Sequence, residues 1–430
     1  MQNSHTTTAC DLLVIGTGMA GMAASLFAAR QGIDTVQVGI TGEISFASGL
    51  FDLLGVHPVA AQIPVEEPWQ ALEQLIRDEP GHPFARVGLA TIREAMTQFL
   101  DFWQEAGYPY RAGGDVNFMV VTPVGTIKPT YAVPHTMYQG TVALNRRLSC
   151  LLVDFKGLKG YSARQIALGV EHCWPNLETA RVAFPDLQGE LYTERMARAL
   201  EVPETRVKLA AVIEPHLGKA EAVGLPAVLG IHRTVDVLAD LQRHFGRPVF
   251  EIPTMLPAVT GLRLRETFEQ NLPALGVRAF YQQRALSVER LPNGDLLMGV
   301  GPEEVEHYVQ AKTVILASGR FFGKGLHAER SGIRETVFNL PVQQPLQRDA
   351  WHHKDLLHKE GHPLNRAGLE TDATLRPVDG RGEVCIDNLF AAGSILAHQD
   401  WVRQKCGSGL ALATAYAAVN ACRAYLKAHT

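Results

Sequence analysis

The chain has 430 residues, 46% of them hydrophobic and 20% charged, and a formal net charge of −4. That is ordinary for a globular protein, too long for one compact core, and too close to neutral to attract nucleic acid or anionic lipid at long range. The six cysteines (Cys10, Cys150, Cys173, Cys385, Cys406 and Cys422) form no Cys-x-x-Cys pair. This argues against a redox disulfide of adjacent thiols, a zinc ribbon and a cysteine-held iron–sulfur cluster, and it fits a reducing cytoplasm.

In chain order, residues 1–9 are polar, with neither a basic start nor an apolar core, and read as a frayed terminus rather than a signal peptide. No uncharged apolar run of about eighteen residues follows, so no membrane-spanning helix is expected. Residues 11–15 form a short apolar run, the pattern of a strand buried on both faces of a parallel sheet. Next come Gly16-Thr17-Gly18-Met19-Ala20-Gly21, a helical pattern from about Gly18 to Gln31 closed by Gly32, and a second strand from Thr35 to Val38. Together they make the strand–turn–helix–strand unit that a phosphate-binding glycine fingerprint requires. Gly16 permits the tight turn, Gly18 lets phosphate approach the backbone, and Gly21 lets helix and strand pack closely. Residues 16–21 are therefore expected cofactor contacts. The acidic residue that commonly ends the second strand and holds adenosine ribose is missing: Val38 or Gly39 occupies its place, and Asp34 lies at the opposite end. That absence favours FMN, with FAD also possible.

Glycine, serine and proline mark loops at 39–49 and 55–68, and helical patterns run at about 66–78 and 90–106. Residues 115–135 hold strand-like pieces cut by Pro123, Pro129 and Pro134. From about 150 to 255 helical stretches alternate with short apolar runs, among them Cys150–Asp154, Val207–Glu214, Ala227–Leu229 and Val249–Ile252. This portion reads as an inserted domain. A helix from Gly261 to Leu275 follows, then a hairpin joining Ala285–Arg290 to Leu296–Val300 through Pro292-Asn293-Gly294-Asp295. Thr313–Leu316 reads as a further buried strand ending at a small-residue turn that includes Gly319. Leu389–Gly393 reads as a short buried strand ending in glycine, followed by Ser394 where many flavoproteins carry an Asp. The helix starting at Gly407-Ser408-Gly409 would aim its positive end at a flavin pyrimidine. The expected fold class is α/β: a Rossmann-like flavin-binding domain from residues 1–80 and 260–430, with a second α/β domain, 81–259, inserted.

Several blocks carry a specific resemblance: Phe46–Leu54, Val121–Thr126, Ala317–Leu326, Glu329–Glu335 and Thr371–Pro377. They resemble, in the family's order, the B subunit of anaerobic glycerol-3-phosphate dehydrogenase. The segment Ala397–Lys405 departs from that family by being more polar and charged. The resemblance implies oxidation of sn-glycerol 3-phosphate to dihydroxyacetone phosphate, with hydride passing from a secondary alcohol to flavin N5. It also implies FMN on this subunit, a larger FAD-bearing A subunit, and an iron–sulfur C subunit that passes electrons one at a time to membrane quinone. Attachment to the inner face of the cytoplasmic membrane would run through a partner. A second class of function stays open, an electron-transfer and assembly subunit without a substrate site, because no acid–base pair is visible. An NAD(P)H-dependent disulfide reductase is disfavoured by the absent Cys-x-x-Cys.

Among single residues, Ser45, Ser48 and Gly49 follow the second strand, where related flavoproteins line the isoalloxazine. Arg376 is a candidate for holding an anion, with a structural salt bridge as the alternative. Lys405 and His398 are candidate electrophiles or proton donors, with a solvated surface role as the alternative. His352, His353, His358 and His362 have loose helical spacing, and without nearby cysteines or paired carboxylates they read as surface; no metal is expected.

Overall fold

The computed structural model describes residues 6–40 and 43–429. At its centre is a mixed seven-stranded sheet. Strand Thr6–Ile15 lies between Thr35–Gly39 and His307–Leu316 and is parallel to both. Arg278–Tyr281 continues the sheet beside Thr35–Gly39. The far edge of His307–Leu316 is shared: antiparallel Leu296–Gly301 takes its first half, and parallel Leu389–Ala391 takes its end. Leu12, Leu13 and Val14 are fully buried, because helices cover what a parallel strand cannot expose. The first strand begins five residues before the expected Asp11. Thr6–Cys10 are polar or small, yet they form ladder pairs with His307–Ala311, so the frayed-terminus expectation fails from Thr6 onward. Residues 1–5 of that expectation lie outside the described residues.

Two alanine-rich helices, Met19–Arg30 and Gly407–Ala428, pack along each other. Residues 20–28 of the first are all buried, so its composition is apolar all round rather than striped. Phe27 ties the pair to a third helix, Leu89–Glu105, by edge-on contacts with Tyr416 and Phe99 at 5.1 and 6.5 Å between ring centres. Phe84, Ile92, Phe99, Phe102 and Trp103 belong to the same apolar cluster as the large sheet.

A second core surrounds a four-stranded parallel sheet in the order Val249–Ile252, Ala222–Pro226, Cys150–Phe155, Leu177–Val182. Of the apolar runs noted above, Cys150–Asp154 and Val249–Ile252 are strands. Val207–Glu214 falls in helix Pro203–Ile213, and Ala227–Leu229 follows the strand ending at Pro226. The two cores are stapled by a buried ion pair. Arg263, on helix Val259–Ala274, donates from both terminal nitrogens to Glu251 at 2.7 Å, from Nε to the Gly230 carbonyl at 2.8 Å, and to the Tyr108 hydroxyl at 3.2 Å. Both side chains are wholly buried. Burial of Glu251 works against its ionisation, but the adjoining guanidinium and the hydrogen bonds outweigh it and hold the carboxyl below its usual range.

Candidate functional site

The fingerprint turn leaves no room for side chains. Gly16 has φ +130°, and a Cβ there would stand 2.1 Å from the Ala317 carbonyl oxygen. A Cβ on Gly21 would stand 2.1 Å from the Gly16 carbonyl oxygen. Gly18 caps helix Met19–Arg30 without a side-chain hydrogen bond, and no acid occupies the first turn. The free N–H groups and the helix dipole therefore face outward to an anion. Gly39 explains the missing acid. Its Cβ position is 2.8–2.9 Å from Thr17 atoms, so the strand end approaches the turn too closely for any side chain.

A cavity of about 660 Å³ opens here. It runs from Gly16–Gly18 past Gly39 and Ile40 to Gln283–Leu286, with Ala317 and Ser318 on another wall. Thr17 Oγ1, Ser318 Oγ and Gln283 Oε1 are buried on residues of that wall and have no hydrogen-bond partner among the described residues. Unmade buried hydrogen bonds cost about 1–3 kcal/mol each. The wall therefore fits a ligand rich in hydroxyls and phosphate oxygens, as a flavin nucleotide is.

The C-terminal glycine segment reaches the same helix. Gly393, at φ +81°, sits where a Cβ would be 2.6 Å from Ala20 Cβ, and its N–H donates to Thr414 Oγ1 at 2.8 Å. Ser394 and Gly319 (φ +71°) lie at the ends of Leu389–Ala391 and His307–Leu316, neighbouring strands. The segment holding Ser45, Ser48 and Gly49 is pinned from several sides. Gly49 (φ +79°) packs on Thr260, Tyr110 donates to the Gly49 carbonyl at 2.9 Å, and a Cβ on Gly261 would be 2.4 Å from the Ser45 carbonyl. Ser408 Oγ donates to the Leu50 carbonyl at 3.3 Å and Gly409 N–H to the Asp52 carbonyl at 2.7 Å, so this segment runs against the start of helix Gly407–Ala428.

The three polar candidates separate. Arg376 is engaged with Asp372 through Nε at 2.9 Å and a terminal nitrogen at 2.8 Å, closing a tight turn whose Asp372 Oδ1 also accepts the Thr374 and Arg376 N–H groups. His398, at φ +64°, pairs through Nε2 with Glu370, which also lies 3.7 Å from Arg86. Lys405, at φ +49°, is half-buried; its backbone N–H donates to the Trp401 carbonyl, but its side chain has no ion pair or hydrogen bond among the described residues. Burial and the Lys128 ammonium push its pKa below the ordinary lysine range, against the pull of Asp52. Lys128 Nζ lies 2.5 Å from Asp52 Oδ2, while buried Asp52 Oδ1 has no partner among the described residues. Left-handed backbone at a non-glycine residue costs free energy and tends to mark functional sites; Lys405 and His398 flank the short helix Trp401–Gln404 in this state.

Sequence reasoning missed Asp52, Lys128, Ser318 and Gln283. Asp52 lies inside a block that carried the resemblance, but nothing local connects it to residues 76 and 353 positions further on. Among the described residues no group of three or more metal-ligating side chains occurs; the His352–His362 cluster is held by ring stacking and backbone bonds, such as His353 on His358 at 3.9 Å.

The sequence profile of the FAD binding domain family matches residues 11–410. A probable B subunit of anaerobic glycerol-3-phosphate dehydrogenase from Halobacterium salinarum is 32% identical over 95% of this chain and 96% of its own length. The chain belongs to this family. The B subunit of anaerobic glycerol-3-phosphate dehydrogenase from Vibrio vulnificus (strain YJ016) is 29% identical over 95% of both chains. Among solved structures, 3-ketosteroid delta1-dehydrogenase from Sterolibacterium denitrificans covers 97% of this chain at 12% identity, with a TM-score of 0.43. Membership makes this a flavin-binding oxidoreductase chain, and the residues of the cavity wall fit that group.

Proposed function

We propose that this chain is the flavin-bearing B subunit of a quinone-linked anaerobic glycerol-3-phosphate dehydrogenase, oxidising glycerol 3-phosphate to dihydroxyacetone phosphate. The observation that carries the reading is the near-full-length similarity to subunits of that name. We further assign it an A-subunit partner and an iron–sulfur C subunit that hands electrons to quinone. Contact with the inner face of the cytoplasmic membrane would run through a partner, since no described helix is long and apolar enough to cross a membrane.

For the cofactor, the reading is FAD rather than FMN. The absent ribose acid argues for the smaller flavin, but close approach of Gly39 to Thr17 accounts for that absence without reference to cofactor size. The cavity continues past Gly39 to Gln283–Leu286, space that an adenosine half would use, and the family profile is that of an FAD binding domain.

The flavin, when bound, supplies the hydride acceptor. The chain's own residues bind and orient. Gly16–Gly21 hold phosphate through backbone N–H groups. Ser45, Ser48, Gly49, Gly319, Gly393 and Ser394 would hold the flavin ring. Gly407–Gly409 aim a helix start at the pyrimidine. His398, oriented by Glu370, is the candidate proton carrier for the alcohol. Arg376 we assign to the 371–377 turn. We keep the division into a flavin-binding unit, 1–80 and 260–430, and an inserted unit, 81–259, of which residues 150–252 build the second core while residues 84–108, Tyr131 and Ala132 pack into the first.

Incubating the flavin-loaded chain with glycerol 3-phosphate and an artificial electron acceptor tests the activity; substrate-dependent reduction is expected. No reduction at full flavin loading would leave an electron-transfer subunit as the reading. Weighing the released cofactor separates FAD from FMN.

A further inference from the structure

The half-buried cluster of Asp52, Lys128 and Lys405 is assembled from three distant parts of the chain. Asp52 lies in the segment against the closing helix, Lys128 on strand Ile127–Thr130, and Lys405 one residue before that helix's cap. The two backbones are clamped: the Gln404 carbonyl accepts both the Gly55 and Val56 N–H groups at 3.0 Å, and the Asp52 carbonyl accepts from Gly409 N–H at 2.7 Å. Gly55 is required by this packing, since a Cβ there would stand 2.8 Å from Lys405 Cβ and 3.1 Å from Pro129. The charges do not cancel. Asp52 pairs with Lys128 at 2.5 Å, while Lys405, packed beside Pro129 across Gly55 and within electrostatic reach of both, has no ion pair among the described residues. A cation with no side-chain partner among the described residues and a second cation fixed by a carboxylate are what a small dianion needs. The other anion-holding candidate, Arg376, is committed to Asp372.

We propose that Lys405, with Lys128 as a second arm fixed by Asp52, recognises the phosphate of a small phosphorylated polyol. This rests on the reading above that the chain meets glycerol 3-phosphate itself, and it gives the substrate's charged end a definite place. Asp52 acts as the positioning residue for Lys128.

The test uses the flavin-loaded full chain and two probes, glycerol 3-phosphate and inorganic phosphate, with binding followed by perturbation of the flavin absorbance. Lys405→Met is expected to weaken both by about 10- to 100-fold, the loss of one charge-assisted hydrogen bond of about 1.5–3 kcal/mol. Lys405→Asn, whose residue tolerates left-handed backbone, should show the same loss without disturbing the loop. Lys405→Arg should recover part of the affinity. Flavin content should be unchanged in all three. Unchanged affinity for both probes in Lys405→Met and Lys405→Asn overturns the assignment, as does a wild-type chain that binds neither probe. If wild type binds inorganic phosphate through Lys405 but does not oxidise glycerol 3-phosphate, the functional reading fails and the site stands. If it oxidises the substrate and the variants are indifferent, the site fails and the reading stands.

Discussion

Two long alanine-rich helices begin at glycine turns and lie against each other, yet their starts are built from different materials. The inner wall before Met19–Arg30 is backbone N–H, neutral hydroxyl and amide, with Cβ positions at Gly16, Gly21 and Gly39 already filled by neighbouring atoms. The start of Gly407–Ala428 is flanked by side-chain charge: Lys405, Lys128 and Asp52. Backbone dipoles cannot be titrated, and they hold their geometry as rigidly as the sheet does. Charged side chains titrate and move. A permanently held cofactor suits backbone dipoles, and a ligand that must come and go suits charged side chains such as Lys405 and Lys128.

The largest effect expected from breaking this contrast is at Gly16. Gly16→Val forces a branched side chain into φ +130° and into the Ala317 carbonyl. It should cost more than about 3 kcal/mol and yield protein without flavin. Gly32→Ala is the matched control: its φ is +72° but nothing lies within 4 Å, so the protein should keep its flavin. Flavin absorbance per chain and thermal unfolding read both variants.

Next in size is an acid effect on the closing start. His82, wholly buried behind Gln404, is pushed down to about 3 from 6.5, chiefly by burial. The unfolded chain takes up a proton below about pH 6.5 that the folded chain refuses. This contribution to stability is therefore complete above pH 6.5 and is lost, at about 1.4 kcal/mol per pH unit, as pH falls toward 3. His82→Asn keeps an acceptor for the Phe84 N–H and should flatten that part of the curve in denaturant titrations.

A smaller effect separates cofactor contact from packing at Thr17. Its buried hydroxyl has no partner among the described residues, so Thr17→Val should leave the flavin-free protein as stable as before. It should weaken flavin binding by about 2- to 12-fold, the worth of one hydrogen bond of about 0.5–1.5 kcal/mol. Equal affinity in a flavin titration would remove Thr17 from the site. The smallest effect is at Arg376→Ala. Its partner Asp372 is partly exposed, so the loss should stay within about 1 kcal/mol and KM should not move.

What the sequence disclosed follows from the range of each interaction. The fingerprint unit is legible because turn, helix and strand lie within residues 11–39 and each glycine answers a local steric demand. The meaning of Gly39 is not, because its constraint comes from Thr17 across the turn, and a sequence displays the missing acid but not the atom that excludes it. Helix Pro203–Ile213 hides behind a run of apolar residues too short to distinguish the two periods. The Asp52–Lys128–Lys405 group is invisible for a different reason: three elements from separate parts of the chain meet there, and no spacing encodes their meeting. Sequence singles out Lys405 as a candidate electrophile or proton donor but shows neither Asp52 nor Lys128 beside it.

The pairing of Thr6–Ile15 with His307–Leu316 along its whole length has a consequence for how the protein is made. During synthesis the first strand can pair with Thr35–Gly39 early, but its other edge stays bare until roughly three-quarters of the chain has emerged. The parallel sheet around residues 150–252 has all its strands by then and can settle first. An apolar strand with one open edge invites pairing with other nascent chains. The newborn protein is thus most prone to aggregate between these two moments, and a chaperone that shields its N-terminal strand would act there.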